Sequence, residues 1–469
     1  MRNGGVPPPV HRVFFPCVFR LSENWTGINP PIGSSSFRTN WRGASIALTL
    51  FCLTCHALGQ GSVRTPDLLG FQNFLPSAQQ ANPNLINAPI EPIGSAPTNA
   101  TTQQGLSIAR FGPFSGTADA AVGYSFNDNA NTSGTGGKLS LNQIFENLDL
   151  DLNWVLSPFN RIDLRLGGQL QENFYSNRSN ALNVVVLPGS EIQLEAKVGD
   201  FLLRTYERFA IVQDPITDPA IAGQTNLNRI TNTVGEALLW PLPHVDVILG
   251  ADYTYSNTLG GGPVSTGEGG SLLNSFHFGG KVAIEITPTL SYGSEFNTTY
   301  NTGEASHDFF TFSVGPFLQG HITPLLEVAC GIGPLISGGP AGRTPDYYAY
   351  LSVRHQLSPI LQVLAGITHD TEFSTGLGIT QNNNVHLTAQ ANLTRQWTVT
   401  VGPYVNFGSV ITGFLPGRYT QYGFTVDSAM RLSRRFTANF DYRFAKRSGD
   451  EPGGNYTQNL VSISFSYGL

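Results

Sequence analysis

A strict alternation of apolar and polar residues begins near residue 113 and persists to the end of the chain, and few folds can absorb it. Between Leu290 and Tyr300 one parity reads Leu290, Tyr292, Ser294, Phe296, Thr298, Tyr300 and the other Ser291, Gly293, Glu295, Asn297, Thr299. Val245, Val247, Leu249, Ala251, Tyr253 and Tyr255 oppose Asp246, Asp252, Thr254 and Ser256 in the same way. Phe436, Ala438, Phe440, Tyr442 and Phe444 oppose Thr437, Asn439, Asp441 and Arg443. A period of two sends successive side chains to opposite faces of a strand, whereas a helix would scatter them around its axis. The expected fold class is therefore all-β.

The breaks between these runs set the architecture. Very short turns, most of them Ser-Pro or Thr-Pro, fall at Ser157, Pro241, Thr287, Thr323 and Ser358, and further ones near Asp200, Arg395 and Arg434. From Thr287 onward their spacings are 36, 35, 37 and 39 residues, the length of one hairpin plus one longer loop. Between them lie Gly, Asn, Ser and Pro-rich connections such as NTLGGGPVSTGEGG and KRSGDEPGGN, composed as solvent loops are. Short turns at one end and long loops at the other are the pattern of a transmembrane antiparallel up-and-down β-barrel. Counting from Ala118 gives about 18 strands, with 16 as the alternative because Ser190 to Trp240 alternates poorly. An even number returns both barrel ends to the short-turn, periplasmic side.

A soluble sandwich would share the alternation, so what each face carries decides between them. Charged residues are only 12% of the chain, about half of what a soluble surface uses, and glycine occupies 52 positions. The apolar parity places aromatics towards strand ends, as at Tyr253 and Tyr255, Phe310 and Phe312, Trp397, and Tyr442 and Phe444, which suits interfacial girdles. The other parity is mostly Ser, Thr, Asn, Gln and Gly, suited to a shared, wet interior. No apolar run of about 18 residues occurs between Gly61 and Leu469, so a multispan helical membrane protein is not expected.

The segment before the alternation divides in two. Residues 1–59 end in a short apolar run, Ala44 to Cys52, preceded by Arg38 and Arg42 and followed by small residues, which describes an N-terminal extension and signal peptide. Residues 60–112 are rich in Pro, Asn, Gln and Ala and lack the apolar residues that would offset ordering, so they are expected to form a flexible periplasmic leader, with a lumen plug as the alternative. The barrel then occupies residues 113–469. Loss of residues 1–59 removes five Arg and one Glu and leaves 21 bases against 31 acids, a balance that argues against nucleic acid as a partner. Cys17, Cys52 and Cys55 leave with it, and Cys330, on the apolar parity, is expected to face lipid without reacting.

No catalytic motif survives inspection. SGTGGKL around Lys138 lacks the phosphate-loop pattern, since Thr132 stands at the first glycine and Leu139 follows the lysine. His244, His277, His307, His321, His355, His369 and His386 are scattered without a local Ser or Asp constellation. Neither an enzyme nor a cofactor is expected. The inward-facing charges on the clearest strands are Asp163, Glu195, Asp246, Asp252, Glu295, Glu327 and Asp441 against Arg165, Lys197, Arg354 and Arg443. Seven acids against four bases predict either a weakly cation-favouring lining or charges that pair to brace the wall.

The final run YTQNLVSISFSYGL, with Val461, Ile463, Phe465, Tyr467 and Leu469 on one parity, resembles the terminal strand of bacterial outer-membrane proteins, although Leu469 stands where such strands most often finish on Phe. Ser-Pro-x-x-x-apolar-x-apolar-Gly repeats at Ser157, Ser358 and loosely Thr323 resemble the porin-2 type family of outer-membrane β-barrels, over residues 113–469. The resemblance implies a Gram-negative outer-membrane location, outer-membrane lipid and the barrel assembly machinery as partners, and a porin-like channel for passive diffusion of small hydrophilic solutes or ions. The alternative is an outer-membrane scaffold or export component, for example in exopolysaccharide secretion, whose leader would contact a periplasmic partner.

Overall fold

The computed structural model describes residues 109–468, apart from positions 112 and 188 and the segments 130–139, 158–159, 177–180, 215–226, 260–271, 304–307, 340–341, 375–377, 411–416 and 451–454. The signal segment, all but the last few residues of the leader, most of the long loops and Leu469 lie outside the described residues.

Every regular element among the described residues is a strand. In chain order they are β1 (Ala109–Phe111), β2 (Phe114–Asn127), β3 (Leu141–Ser157), β4 (Asn160–Tyr175), β5 (Ala181–Val186), β6 (Glu191–Val198) and β7 (Phe201–Asp214). There follow β8 (Leu227–Leu242), β9 (Val245–Leu259), β10 (Leu272–Thr287), β11 (Leu290–Gly303), β12 (Phe309–Thr323), β13 (Leu326–Gly339) and β14 (Gly342–Ser358). The last six are β15 (Leu361–Ser374), β16 (Gly378–Asn392), β17 (Trp397–Val410), β18 (Gly417–Arg431), β19 (Phe436–Gly449) and β20 (Tyr456–Gly468). Apart from β5 and β6, which do not pair with each other, each pairs antiparallel with its chain neighbours, and β20 returns to β2, from Asp119 opposite Gly468 to Asn127 opposite Leu460. The sheet is a closed barrel. Closure matters because it leaves no long open sheet edge with unpaired backbone N–H and C=O groups.

Twenty segments make eighteen wall strands. β1 is a three-residue piece that covers the edge of β2 where β20 does not reach, with Ala109 opposite Gly116. β5 and β6 are two halves of one strand, since β4 pairs with both and β7 with both. The break between them is pinned by Ser190, whose hydroxyl accepts from the Gly167 amide at 2.9 Å and lies 3.0 Å from the Leu187 carbonyl, and by Gly189 in the left-handed region at φ 103°. A residue with a Cβ would be strained there.

The proline turns work as their chemistry requires. Pro presets the first turn position at φ near −65°. In the turns after Thr287, Thr323 and Ser358 the preceding strand carries a one-residue register shift, at 285/287, 321/323 and 356/358. The β8–β9 turn is closed by Pro243 and His244, the latter at φ 62°, with its carbonyl accepting from Glu285 N–H at 2.9 Å. Gly199, at φ 65°, serves the proline-free turn between β6 and β7.

The outer face carries the apolar parity, with Leu148, Leu166, Phe276, Ile332, Ile367 and Ile463 among its exposed residues. Aromatics on it hold their polar ends to the next strand: Tyr124 donates to Asn142 and Tyr253 to Asn274, both at 2.6 Å, and the Trp397 indole to Ser428 at 2.9 Å. An amphipathic ring at the rim of an apolar band needs such a partner. Cys330 is half-buried on this same face, between Val328 and Ile332.

Candidate pore lining

All eleven charges singled out in the sequence project from the inner parity of their strands. Asp163 and Arg165 lie on β4, Glu195 and Lys197 on β6, Asp246 and Asp252 on β9, and Glu295 on β11. Glu327 lies on β13, Arg354 on β14, and Asp441 and Arg443 on β19. The pleat alone places them there, because each is flanked in sequence by outward apolar residues such as Leu164, Leu194 and Phe440.

Most of these charges are paired along the wall, between neighbouring strands. Arg161 bridges Asp163 at 3.2 Å and Glu195 at 2.6 Å, and Arg204 donates to Glu195 from Nε at 2.9 Å. Glu195, Gln193 and Arg204 are all buried, so this is a desolvated network. Arg165 faces Asp151 at 3.6 Å, Arg354 donates to Glu327 at 2.9 Å, and Arg208 pairs with Glu191. Glu295 sits 4.0 Å from Lys281 and accepts from Tyr350 at 3.1 Å, while Lys281 lies 3.7 Å from the centre of the Phe317 ring. His277 and Asp252, both buried, meet at 3.2 Å. Bracing on the wall is thus the arrangement of Asp163, Arg165, Glu195, Asp252, Glu295, Glu327 and Arg354.

A second set has carboxylates facing carboxylates. Asp427 on β18 stands directly opposite Asp441 on β19, and Asp119 on β2 directly opposite Asp149 on β3. Asp246 likewise makes no ion pair among the described residues. Both Asp pairs fall on the five consecutive strands β18, β19, β20, β2 and β3 that flank the closure, an inner face that also carries Arg443, two residues from Asp441, Asp151 opposite Arg165, and Ser462, Ser464 and Ser466. Sequence reasoning missed Asp119, Asp149, Asp151, Arg161, Glu191, Arg204, Arg208, Lys281 and Asp427. The run NLDLDLNW carries Asp149 and Asp151 in plain alternation with Leu148, Leu150 and Leu152, so that much was readable. Which acid faces which depends on strand register, which composition does not encode.

One seam of the wall is stitched by side chains. The β14–β15 ladder ends at Ala349 opposite His369, although both strands run on towards the long loops. In the gap Asp346 accepts from Gln381 at 3.0 Å and from Thr371, and His369 reaches it at 3.3 Å while stacking on Tyr347 at 4.0 Å. The Thr371 amide, which a continued ladder would occupy, donates instead to the Asp370 carboxylate at 2.8 Å. Asp346→Ala strips three neighbours of their acceptor and is expected to cost about 3 kcal/mol, read as a lower temperature for loss of the heat-modifiable band. Asp346→Asn should recover part of that loss.

No group of three or more His, Cys, Asp or Glu side chains among the described residues could hold a metal ion. No family model matches the sequence, and no curated protein matches it. Among solved structures, a BenF-like porin from Pseudomonas fluorescens Pf-5 aligns at TM-score 0.46 and 9% identity, over 76% of this chain and 99% of that one. OccK7 (OpdD) of Pseudomonas aeruginosa aligns at 0.45 and 10%, over 76% and 99%. The siderophore receptor PirA of Pseudomonas aeruginosa aligns at 0.39 and 10%, over 75% and 80%. Likeness at that level assigns no function, and the fold stands on this chain's own closed ladder.

Proposed function

We propose that this protein is an outer-membrane channel through which small hydrophilic solutes or ions diffuse passively, with a modest preference for cations. The observation that carries the reading is the division of one closed eighteen-strand wall into an apolar, aromatic-rimmed outer face and a polar inner face. A barrel of that strand number is wider than its own side chains need to fill. An apolar exterior of that height has no use in water. The reading requires no catalytic residue and no cofactor.

The cation preference rests on the acids that stand without an ion pair. Wall-paired charges cancel locally, whereas Asp119 with Asp149, Asp427 with Asp441 against the single base Arg443, and Asp246 leave a net negative field inside a low-dielectric wall. Purified protein in planar bilayers tests both statements. Discrete conductance steps proportional to salt are expected, with reversal potentials in a salt gradient that favour cations by a factor on the order of a few. Asp427→Asn with Asp441→Asn should reduce that ratio, while Asp252→Asn should leave it nearly unchanged because His277 covers it. Anion preference would overturn the electrostatic reading, and a non-conducting barrel that copurifies with a secretion partner would favour the scaffold alternative.

A further inference from the structure

Among the described strand residues four carboxylates break the apolar outer face, and all four fall in one sector. Glu146 on β3, Glu172 on β4, Glu207 on β7 and Glu236 on β8 are exposed on the outward parity. Their register neighbours are outward too: Val122 and Leu170 for Glu146, Ile144 for Glu172, Ile192 and Val234 for Glu207, Thr205 and Ala251 for Glu236. From β9 round to β2 no described strand residue places an Asp or Glu outward. The lower pair is not at the rim. Glu236 lies four residues from Trp240 and Glu207 six from Phe201, about 10 and 15 Å up the wall for strands that rise ~3.3 Å per residue and tilt by 35–45°.

Glu207 and Glu236 belong to a continuous polar stripe. Glu236 stands opposite Thr205, and Glu207 accepts from the Asn232 amide at 3.1 Å. A carboxylate at mid-height against lipid is unfavourable, and it stays only where protein covers it. The stripe holds acceptors, Glu207 and Glu236, beside donors, Thr205 and Asn232, so it can satisfy a copy of itself. The described part of the same sector offers no outward Lys or Arg that would suit a heterologous acid-base fit. Five wall strands spaced at ~4.8 Å beneath a band ~25 Å tall present roughly 600 Å², close to the ~800 Å² each partner contributes to a stable complex. Between apolar faces in a membrane there is no hydrophobic drive to associate, so polar contacts supply it.

We propose that the outer face of β3–β8 is where a second copy of this chain docks within the membrane, in a closed cyclic assembly held by the Thr205, Glu207, Asn232 and Glu236 stripe. This rests on the membrane-barrel reading above. The test is the protein mass, by light scattering with detergent subtracted, of the full chain extracted from its membrane in mild detergent. Wild type should give a whole-number multiple of one chain, and the variant Thr205→Val, Glu207→Leu, Asn232→Leu, Glu236→Leu should give one chain that still shows heat-modifiable migration. A wild-type mass of one chain, an unchanged multiple in the variant, or a multiple made up by a different protein would overturn the proposal. Should the variant not fold, Asn232→Cys in a Cys330→Ala background decides: a bifunctional maleimide in intact membranes should yield a crosslinked dimer there and none from Thr298→Cys on β11. Equal yields at the two positions, or none at either, reject it. A chain recovered in water without detergent would instead remove the membrane reading itself.

Discussion

Deleting Ser462–Leu469 is expected to abolish the inserted barrel altogether. Most of the β2–β20 ladder lies in that segment, from Asp119 opposite Gly468 to Ser125 opposite Ser462, and only Phe126 and Asn127 would keep partners. The freed edges of β2 and β19 would face lipid with unpaired backbone groups at several kcal/mol each. The truncated chain should be exported, then accumulate in the periplasm or be degraded, without heat-modifiable migration on gels. Single substitutions resolve the two faces of the same strand. Phe465 lies outward, 42% exposed, with its ring stacked 5.8 Å from Phe436, whereas Ser464 points inward beside Asn439. Phe465→Asp should lose about 2 kcal/mol and much of its insertion yield, and Ser464→Asp should stay within about 0.5 kcal/mol of wild type. Equal behaviour of the pair would show that this strand does not separate lipid from lumen.

The second large effect is expected at Glu195, where three chain segments meet. Its carboxylate takes Arg161 from β4, Arg204 from β7 and Gln193 on its own strand, and both Glu195 and Arg204 are nearly inaccessible. Removing one member of a buried ionic network leaves the other desolvated without its counter-charge, at about 3–5 kcal/mol. Because the Arg161 side chain is 40% exposed and can turn to water, Glu195→Ala should fall towards the lower end, near 3 kcal/mol. Glu327→Ala, whose partner Arg354 is less fully enclosed, should cost less. Denaturant unfolding of refolded barrels in detergent, followed by tryptophan fluorescence, would rank the two, and the reverse order would count against the desolvation argument.

The interrupted strand formed by β5 and β6 explains where reading the sequence was hardest. Between Ser190 and Trp240 the expected phase was lost for two local reasons. Between β5 and β6 the ladder to β4 passes from 168 opposite 186 to 165 opposite 191, so two extra residues interrupt the run of alternation before it restarts. On β7 and β8 both faces are mixed, with Ala237 and Leu239 buried inside against the half-buried Leu202, and Thr205, Glu207, Asn232 and Glu236 outside. Only the ladders of β4 and β7, which bind both halves, show that this region is one wall strand and that the count is eighteen and not sixteen.

What the sequence determined by itself is everything governed by neighbours along the chain. The period of two follows from the pleat, so Leu290 to Tyr300 or Phe436 to Phe444 announce strand, outward face and inward face without reference to any other segment. The proline turns follow from the fixed φ of Pro, and their rhythm implies antiparallel hairpins. The inward placement of Asp163, Glu295 or Asp441 follows from the same parity. Partnership across strands is different, because it depends on register accumulated through turns, bulges and closure. Tertiary structure alone decided that Glu195 is held between two arginines while Asp441 faces Asp427, that Asp346 fills a seam whose ladder stops at Ala349, and that β20 meets β2. A one-residue slip in register would change each of those pairs while leaving the alternation in the sequence untouched.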